Sequence, residues 1–181
     1  MTALDDFNQA YASAERLIDA SALEAALDAM ATRINALLAD KNPVVLCVMN
    51  GAVVMAGKLL PRLTMPLTLD AINASRYQNK TFGGGIEWLY KPRTSLQGRT
   101  VLLLDDILDE GITLKAIRDY CLSDGAKEVF SAVLVDKNLN HSKPLTADFV
   151  GLHVANRYIF GWGMDYKGYG RNADGIYACG E

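Results

Sequence analysis

The chain has 181 residues, half of them hydrophobic, which suits one domain with a sizeable core. Its 18 basic and 21 acidic residues leave a net charge of −3, arguing against a general nucleic-acid or membrane-surface binder. Three cysteines, Cys47, Cys121 and Cys179, show no CxxC spacing, so reduced thiols in a cytoplasm are expected rather than a disulfide framework or zinc site. Asp5 and Asp6, with no basic stretch beside them, speak against a signal peptide, and no apolar run has the length that spans a bilayer.

In chain order, the first 40 residues read as helical. Ser21-Ala-Leu-Glu24 has the form of a capping box, with Ser21 as N-cap and Glu24 at the third helical position. Leu23, Leu27, Met30, Ile34 and Leu37 follow at helical spacing and form a core stripe. Val44–Val48 is a continuous apolar run, fit for a strand buried on both faces. Asn50-Gly51 ends it; as a plain strand-to-helix turn this pair requires no ligand. Ala52–Leu63 reads as a helix and Leu67–Ala74 as a strand. Three glycines, Gly83 to Gly85, precede a returning strand at Ile86–Tyr90, as in a hairpin or a mobile flap.

Thr100–Leu104 is another buried-strand pattern, followed by acidic residues and a helix from about Thr113 to Leu122, with Gly125 beyond its end. Val129–Val135 is the next strand. Phe149–Val154 and Ile159–Trp162 read as shorter ones, and the tail from Gly163 as loop with some strand. Alternating β and α elements imply an α/β fold with a parallel sheet covered by helices.

The segment from Val101 to Thr113 carries the chemistry. An apolar strand runs into Asp105, Asp106 and Asp109, then Gly111 and Thr113, then a helix. The carboxyl end of a parallel strand is where open α/β sheets bind ligands. Gly111 permits backbone conformations closed to other residues. Successive amides at a helix N-terminus cradle phosphate, and Asp105 and Asp106 suit sugar hydroxyls or a nearby metal. One acid at this point reads equally well as a helix cap. Three in five positions crowd like charge at a cost, which favours a site.

This stretch resembles the signature of type I phosphoribosyltransferases: hydrophobic strand, two acids, two apolar residues, Asp, a variable residue, Gly, a variable residue, Thr. The resemblance extends over nearly the whole chain and is to the hypoxanthine-guanine branch. It implies a twisted, mainly parallel sheet flanked by helices over roughly residues 42–140. It also implies a small hood, from 1–41 and 141–181, within one domain of 1–181. The implied reaction moves the 5-phosphoribosyl group from 5-phosphoribosyl 1-pyrophosphate (PRPP) to N9 of hypoxanthine or guanine. The products are IMP or GMP and pyrophosphate, as in purine salvage. Mg²⁺ is the implied cofactor and a cytoplasmic homodimer or homotetramer the implied form.

Residue by residue, the resemblance implies that Asp105 and Asp106 bind the ribose hydroxyls, and that Asp109 is the general base near N7. Glu110, Gly111, Ile112 and Thr113 would bind the 5′-phosphate; Glu110 stands where many members have a hydroxyl residue, and Ile112 where some have a basic one. Lys137 matches the lysine that donates to the purine O6, although alone it reads as a solvated lysine at a strand end. Tyr158 would stack on the base, and the backbone at Ile159 and Asp165 would meet its edge. Asp165 is also the implied Mg²⁺-associated carboxylate, with Asp105 and Asp106 near the metal through ribose or water. Asn50, Gly51 and Arg171 would bind pyrophosphate; the family commonly has a basic residue in place of Asn50 and a cis peptide there. Ser75, Arg76 and Tyr77 resemble the start of the flexible flap.

Two rival readings fit less well. A regulatory homologue that senses PRPP usually adds a DNA-binding domain or a basic face, and this chain has neither. A phosphoacceptor receiver domain would need its acidic pair after the first strand, where Asn50-Gly51 stands.

Overall fold

The structure, a computed structural model, describes residues 2–76 and 85–180. Helix α1, Ala3–Ala12, begins at Thr2, whose hydroxyl accepts from the Asp5 amide at 3.1 Å while the Asp5 carboxylate accepts from the Thr2 amide at 2.8 Å. A short strand, β1 (Glu15–Ile18), interrupts the expected helical stretch and precedes helix α2 (Ala20–Leu38).

The cap of α2 is Asp19, not Ser21. Asp19 Oδ1 accepts from the Ala22 amide at 2.9 Å and from the Ser21 hydroxyl at 2.7 Å. These bonds hold its carboxyl below the ordinary value, and its charge suits the positive helix end. Glu24 does not close a capping box. It pairs with Lys58 and, at 2.7 Å, with Arg62. The buried stripe of α2 ends at Leu38; Leu37, expected inside, is exposed.

Strand β2 (Val44–Val48) is buried throughout. Helix α3 covers only Val53–Leu59 and then tightens into a 3-10 turn, Leu60–Arg62, because Pro61 lacks the N–H that an α-helix needs. Then follow β3 (Thr68–Arg76), β4 (Ile86–Tyr90), β5 (Thr100–Leu108), helix α4 (Ile112–Ser123) and β6 (Glu128–Asn138). The chain ends with β7 (Phe149–Ala155), β8 (Ile159–Phe160) and β9 (Ile176–Ala178).

Among the described residues, six strands form the main sheet in the order β4-β3-β2-β5-β6-β7. All neighbours run parallel except β4, which lies antiparallel on β3. The apolar centres of β2, β5 and β6 are buried, as strands covered on both faces must be. β5 is longer than its apolar run. Its pairing with β6 continues to Leu108 opposite Asp136, so Asp105 and Asp106 belong to the strand's end and not to a loop.

A second, antiparallel sheet has the order β1-β9-β8 and joins the two ends of the chain. Helix α1 lies on it through aromatic contacts: Phe7 stacks on Tyr169, and Tyr11 meets Phe160 and Tyr177 edge-on. The boundary expected between core and hood therefore shifts. β7 is the outermost strand of the main sheet, and α2 packs against it. Gly151 makes room for that contact: a Cβ there would lie 2.6 Å from the Leu134 carbonyl and 3.3 Å from the Met30 methyl.

Candidate active site

From β2 the chain moves to β3 on one side, and from β5 to β6 on the other. Between β2 and β5 the strand order reverses, and ligands of open α/β sheets bind in the crevice at such a point. A cavity of about 310 Å³ opens there. Met49, Asn50 and Gly51 line it from the end of β2. Asp105 to Thr113 line it from β5 and the turn into α4, and Asp165 and Arg171 from the C-terminal segment. The Met49–Asn50 peptide is cis.

Asp106 is buried, with 8% of its surface exposed. Its neighbour Asp105 accepts from the Asp106 amide at 3.0 Å. Burial, then the charge of Asp106, pushes the Asp105 carboxyl well above the ordinary range. Burial raises Asp106 as well, against hydrogen bonding and the charge of Arg171, which lower it. Two acids so placed are costly without a ligand or cation to meet them. Nearby Cys47 is held inert: burial, then Asp105 and Asp106, pushes its thiol up to about 11.

Glycines let the backbone close around this pair. A Cβ on Gly51 would fall 2.0 Å from Asp106 Oδ2, and one on Gly163 would fall 2.0 Å from the Gly51 carbonyl. Gly163 also has φ +104° and offers its carbonyl to Arg171 Nη1 at 2.6 Å. The other guanidinium arm meets Asp165 Oδ1 at 2.7 Å. Asp165 Oδ2 accepts from the Gly168 amide at 2.7 Å.

At the turn, Gly111 has φ +75° and is the N-cap of α4, where no side chain accepts from the first-turn amides. The helix end is thus presented to the cavity with its donors free of a capping side chain, as an anion site requires. Glu110 faces His141, with Oε2 and Nε2 3.0 Å apart.

An adjoining cavity of about 190 Å³ is lined by Asp106, Ile107, Asp109, Lys137, Tyr158, Ile159, Met164 and Asp165. Asp106, Ile107, Asp109 and Asp165 border both cavities. Lys137 Nζ reaches Asp109 Oδ1 at 3.2 Å. Tyr158 is 55% exposed and meets Tyr166 edge-on at 5.5 Å, leaving ring surface toward the cavity.

The residues singled out in the sequence at 50–51, 105–113, 137, 158–159, 165 and 171 all line these two spaces. Ser75 and Arg76 lie at the end of β3. Tyr77 and two of the three glycines, Gly83 and Gly84, fall outside the described residues. Gly163 and His141 were not anticipated. The signal for Gly163 was its place in Gly161-Trp-Gly163, where all three residues take positive φ; nothing local marks His141.

A phosphoribosyl transferase domain matches residues 13–167. A hypoxanthine-guanine phosphoribosyltransferase from Aquifex aeolicus is 32% identical over 135 residues, covering 74% of this chain and 76% of that protein. The bifunctional protein TilS/HprT of Listeria innocua is 32% identical over 86% of this chain, which spans only 24% of that longer protein. A solved hypoxanthine-guanine phosphoribosyltransferase from Bacillus anthracis superposes with a TM-score of 0.86 at 28% identity, over 92% of this chain and 98% of that one. The chain belongs to the phosphoribosyltransferase family, in its hypoxanthine-guanine branch.

Proposed function

We propose that this chain, acting as one unit over residues 1–181, transfers the 5-phosphoribosyl group of PRPP to N9 of hypoxanthine or guanine. The observation that carries this reading is the pair of adjoining cavities, with Asp109 on the wall of both. One has the acid pair, with Asp106 buried, and the uncapped helix end that a ribose 5-phosphate needs. The other has a ring face and a lysine that a 6-oxopurine needs.

The amides from Glu110 to Thr113 hold the 5′-phosphate. Asp105 and Asp106 accept from the ribose hydroxyls and lie close to the ring on which positive charge develops. Arg171 and the backbone at Asn50 and Gly51 meet the departing pyrophosphate. Tyr158 stacks on the base, and the backbone at Ile159 and Asp165 reads its edge. Lys137 donates to O6, which selects an oxo over an amino group, since an amino group presents donors to a donor. Asp109 takes the proton that the purine loses as the C1′–N9 bond forms and the bond to pyrophosphate breaks. Ser75 and Arg76, at the end of β3, with Tyr77, which lies outside the described residues, are assigned to the flap that the family resemblance implies.

The donor set fits Mg²⁺. The acids at the site offer hard oxygens, and the Asp105–Asp106 pair gains from a divalent charge nearby. Among the described residues no three His, Cys, Asp or Glu side chains gather to hold a metal. Asp165, Asp105 and Asp106 would stand beside the ion, which keeps much of its hydration. When bound it supplies neutralisation of the charge on the leaving pyrophosphate.

The chain works in the cytoplasm, with its three thiols free. Among the described residues no helix is long and apolar enough to cross a membrane. It assembles as a homodimer or homotetramer, for which exposed Leu69 on β3 and Leu89 on β4 offer apolar surface.

The test is pyrophosphate release from PRPP and Mg²⁺ with hypoxanthine, guanine, xanthine or adenine. Release that depends on a 6-oxopurine is the expected result. Release equal with and without base, or with adenine alone, contradicts the reading.

A further inference from the structure

Lys143 lies in the link between β6 and β7, with its side chain only 11% exposed. A lysine is rarely this buried, and is retained where its ammonium is paired and hydrogen-bonded. Here Nζ donates to the Leu108 carbonyl at 2.6 Å, to the Lys137 carbonyl at 2.6 Å and to Asp136 Oδ1 at 2.5 Å. Three donors meet three acceptors, so the ammonium is saturated. Asp136 also faces His153 Nδ1 at 3.6 Å.

The position of these acceptors matters. The ladder between β5 and β6 stops at Leu108 opposite Asp136. Beyond it the two chains lead directly into Asp109 and Lys137, the pair 3.2 Å apart on the wall of the base cavity. Lys143 bridges the two strand ends where the ladder ceases. It grips the carbonyl just before Asp109 and the carbonyl of Lys137 itself. An apolar side chain of the same length would fill the space and leave both carbonyls and Asp136 without this donor.

We propose that Lys143 is a positioning residue for base recognition: it sets the spacing of Asp109 and Lys137 by clamping the backbone from which each starts. This rests on the purine reading of the same cavity. Lys143 borders neither cavity, so its effect passes through the other two residues. A clamp of this kind matters because a misplacement of about 1 Å can cost roughly 100-fold in rate.

The experiment compares wild type with Lys143→Met, which keeps length and removes the donors. Steady-state constants are measured for hypoxanthine and for PRPP, together with the ratio of hypoxanthine to adenine turnover and the melting temperature. We expect the KM for hypoxanthine to rise and kcat to fall, together costing about 10-fold to 100-fold in kcat/KM. The KM for PRPP should stay at its wild-type value, and the preference for hypoxanthine over adenine should narrow. Should Lys143→Met not fold, Lys143→Gln, which keeps two N–H donors but removes the charge and shortens the reach, carries the same comparison. A lower melting temperature with both KM values and the base preference unchanged, or with both KM values raised alike, overturns the proposal and leaves Lys143 a structural tie. Wild type that turns over no 6-oxopurine overturns the purine reading first; wild type that does, with variants indifferent in base kinetics, overturns only the role of Lys143.

Discussion

Lys137 and Asp109 stand opposite each other at the ends of two adjacent parallel strands, Nζ to Oδ1 3.2 Å, each partnering the other across the base cavity. On the proposed function, a purine entering between them would exchange this contact for two of its own, O6 to the ammonium and N7–H to the carboxylate. Lys137→Ala should therefore weaken hypoxanthine and guanine binding by about 1.5–3 kcal/mol, the scale of a hydrogen bond to a charged group. PRPP binding should hold. Calorimetry on both ligands checks this, and equal loss for both counts against the O6 role.

Asp109→Asn keeps size and removes the carboxylate proposed as the general base. Turnover should fall roughly 100-fold, the low end of general-base contributions, with the circular dichroism spectrum unchanged. Unchanged turnover would remove Asp109 from proton transfer.

Two glycines separate site from scaffold. Gly51→Ala would drive a methyl to 2.0 Å from Asp106 Oδ2, and must displace either the turn at Asn50-Gly51 or the Asp106 carboxylate. PRPP binding should weaken by at least about 1–3 kcal/mol, on the scale of overpacking a tight contact. Gly57→Ala, inside α3, meets nothing within 4 Å. It should stabilise the chain by about 0.5–1 kcal/mol in denaturant melts, with kinetics unchanged. Equal effects of the two substitutions on PRPP binding would contradict the close approach at Gly51.

The acid pair predicts a pH dependence. Burial and the charge of Asp106 raise Asp105 well above its ordinary 3.8. A carboxyl raised by folding stabilises the native state fully below its unfolded value, and that contribution is lost as pH rises through the folded value. Without ligand, Asp105→Asn should then exceed wild type in stability at about pH 7, while binding PRPP poorly. The gap should close toward about pH 4. A stability difference independent of pH, from melts at both values, would contradict the strain assigned to this pair.

The acidic segment was legible because its signals agree at several levels. A buried-strand pattern, crowded acids, Gly111 and a helix start all point to one turn, and the turn lines the cavity. What escaped depended on partners distant in sequence. β1 has a half-exposed pattern and becomes a strand only through β9, some 160 residues later. β7 reads as a short strand, and its place in the main sheet follows from its register with β6 and from α2 packing on Gly151. Asp19 won the cap of α2 from Ser21 by geometry two residues upstream of the expected motif. Gly163 is ordinary as a tail glycine until the Gly51 carbonyl is placed against it.

The most direct measurement is a crystal structure of the chain with GMP bound. The account places the 5′-phosphate on the amides of residues 110–113, the ribose on Asp105 and Asp106, and the purine between Tyr158 and the Lys137–Asp109 pair. A nucleotide seated elsewhere, with the turn from 105 to 113 unengaged, would contradict it.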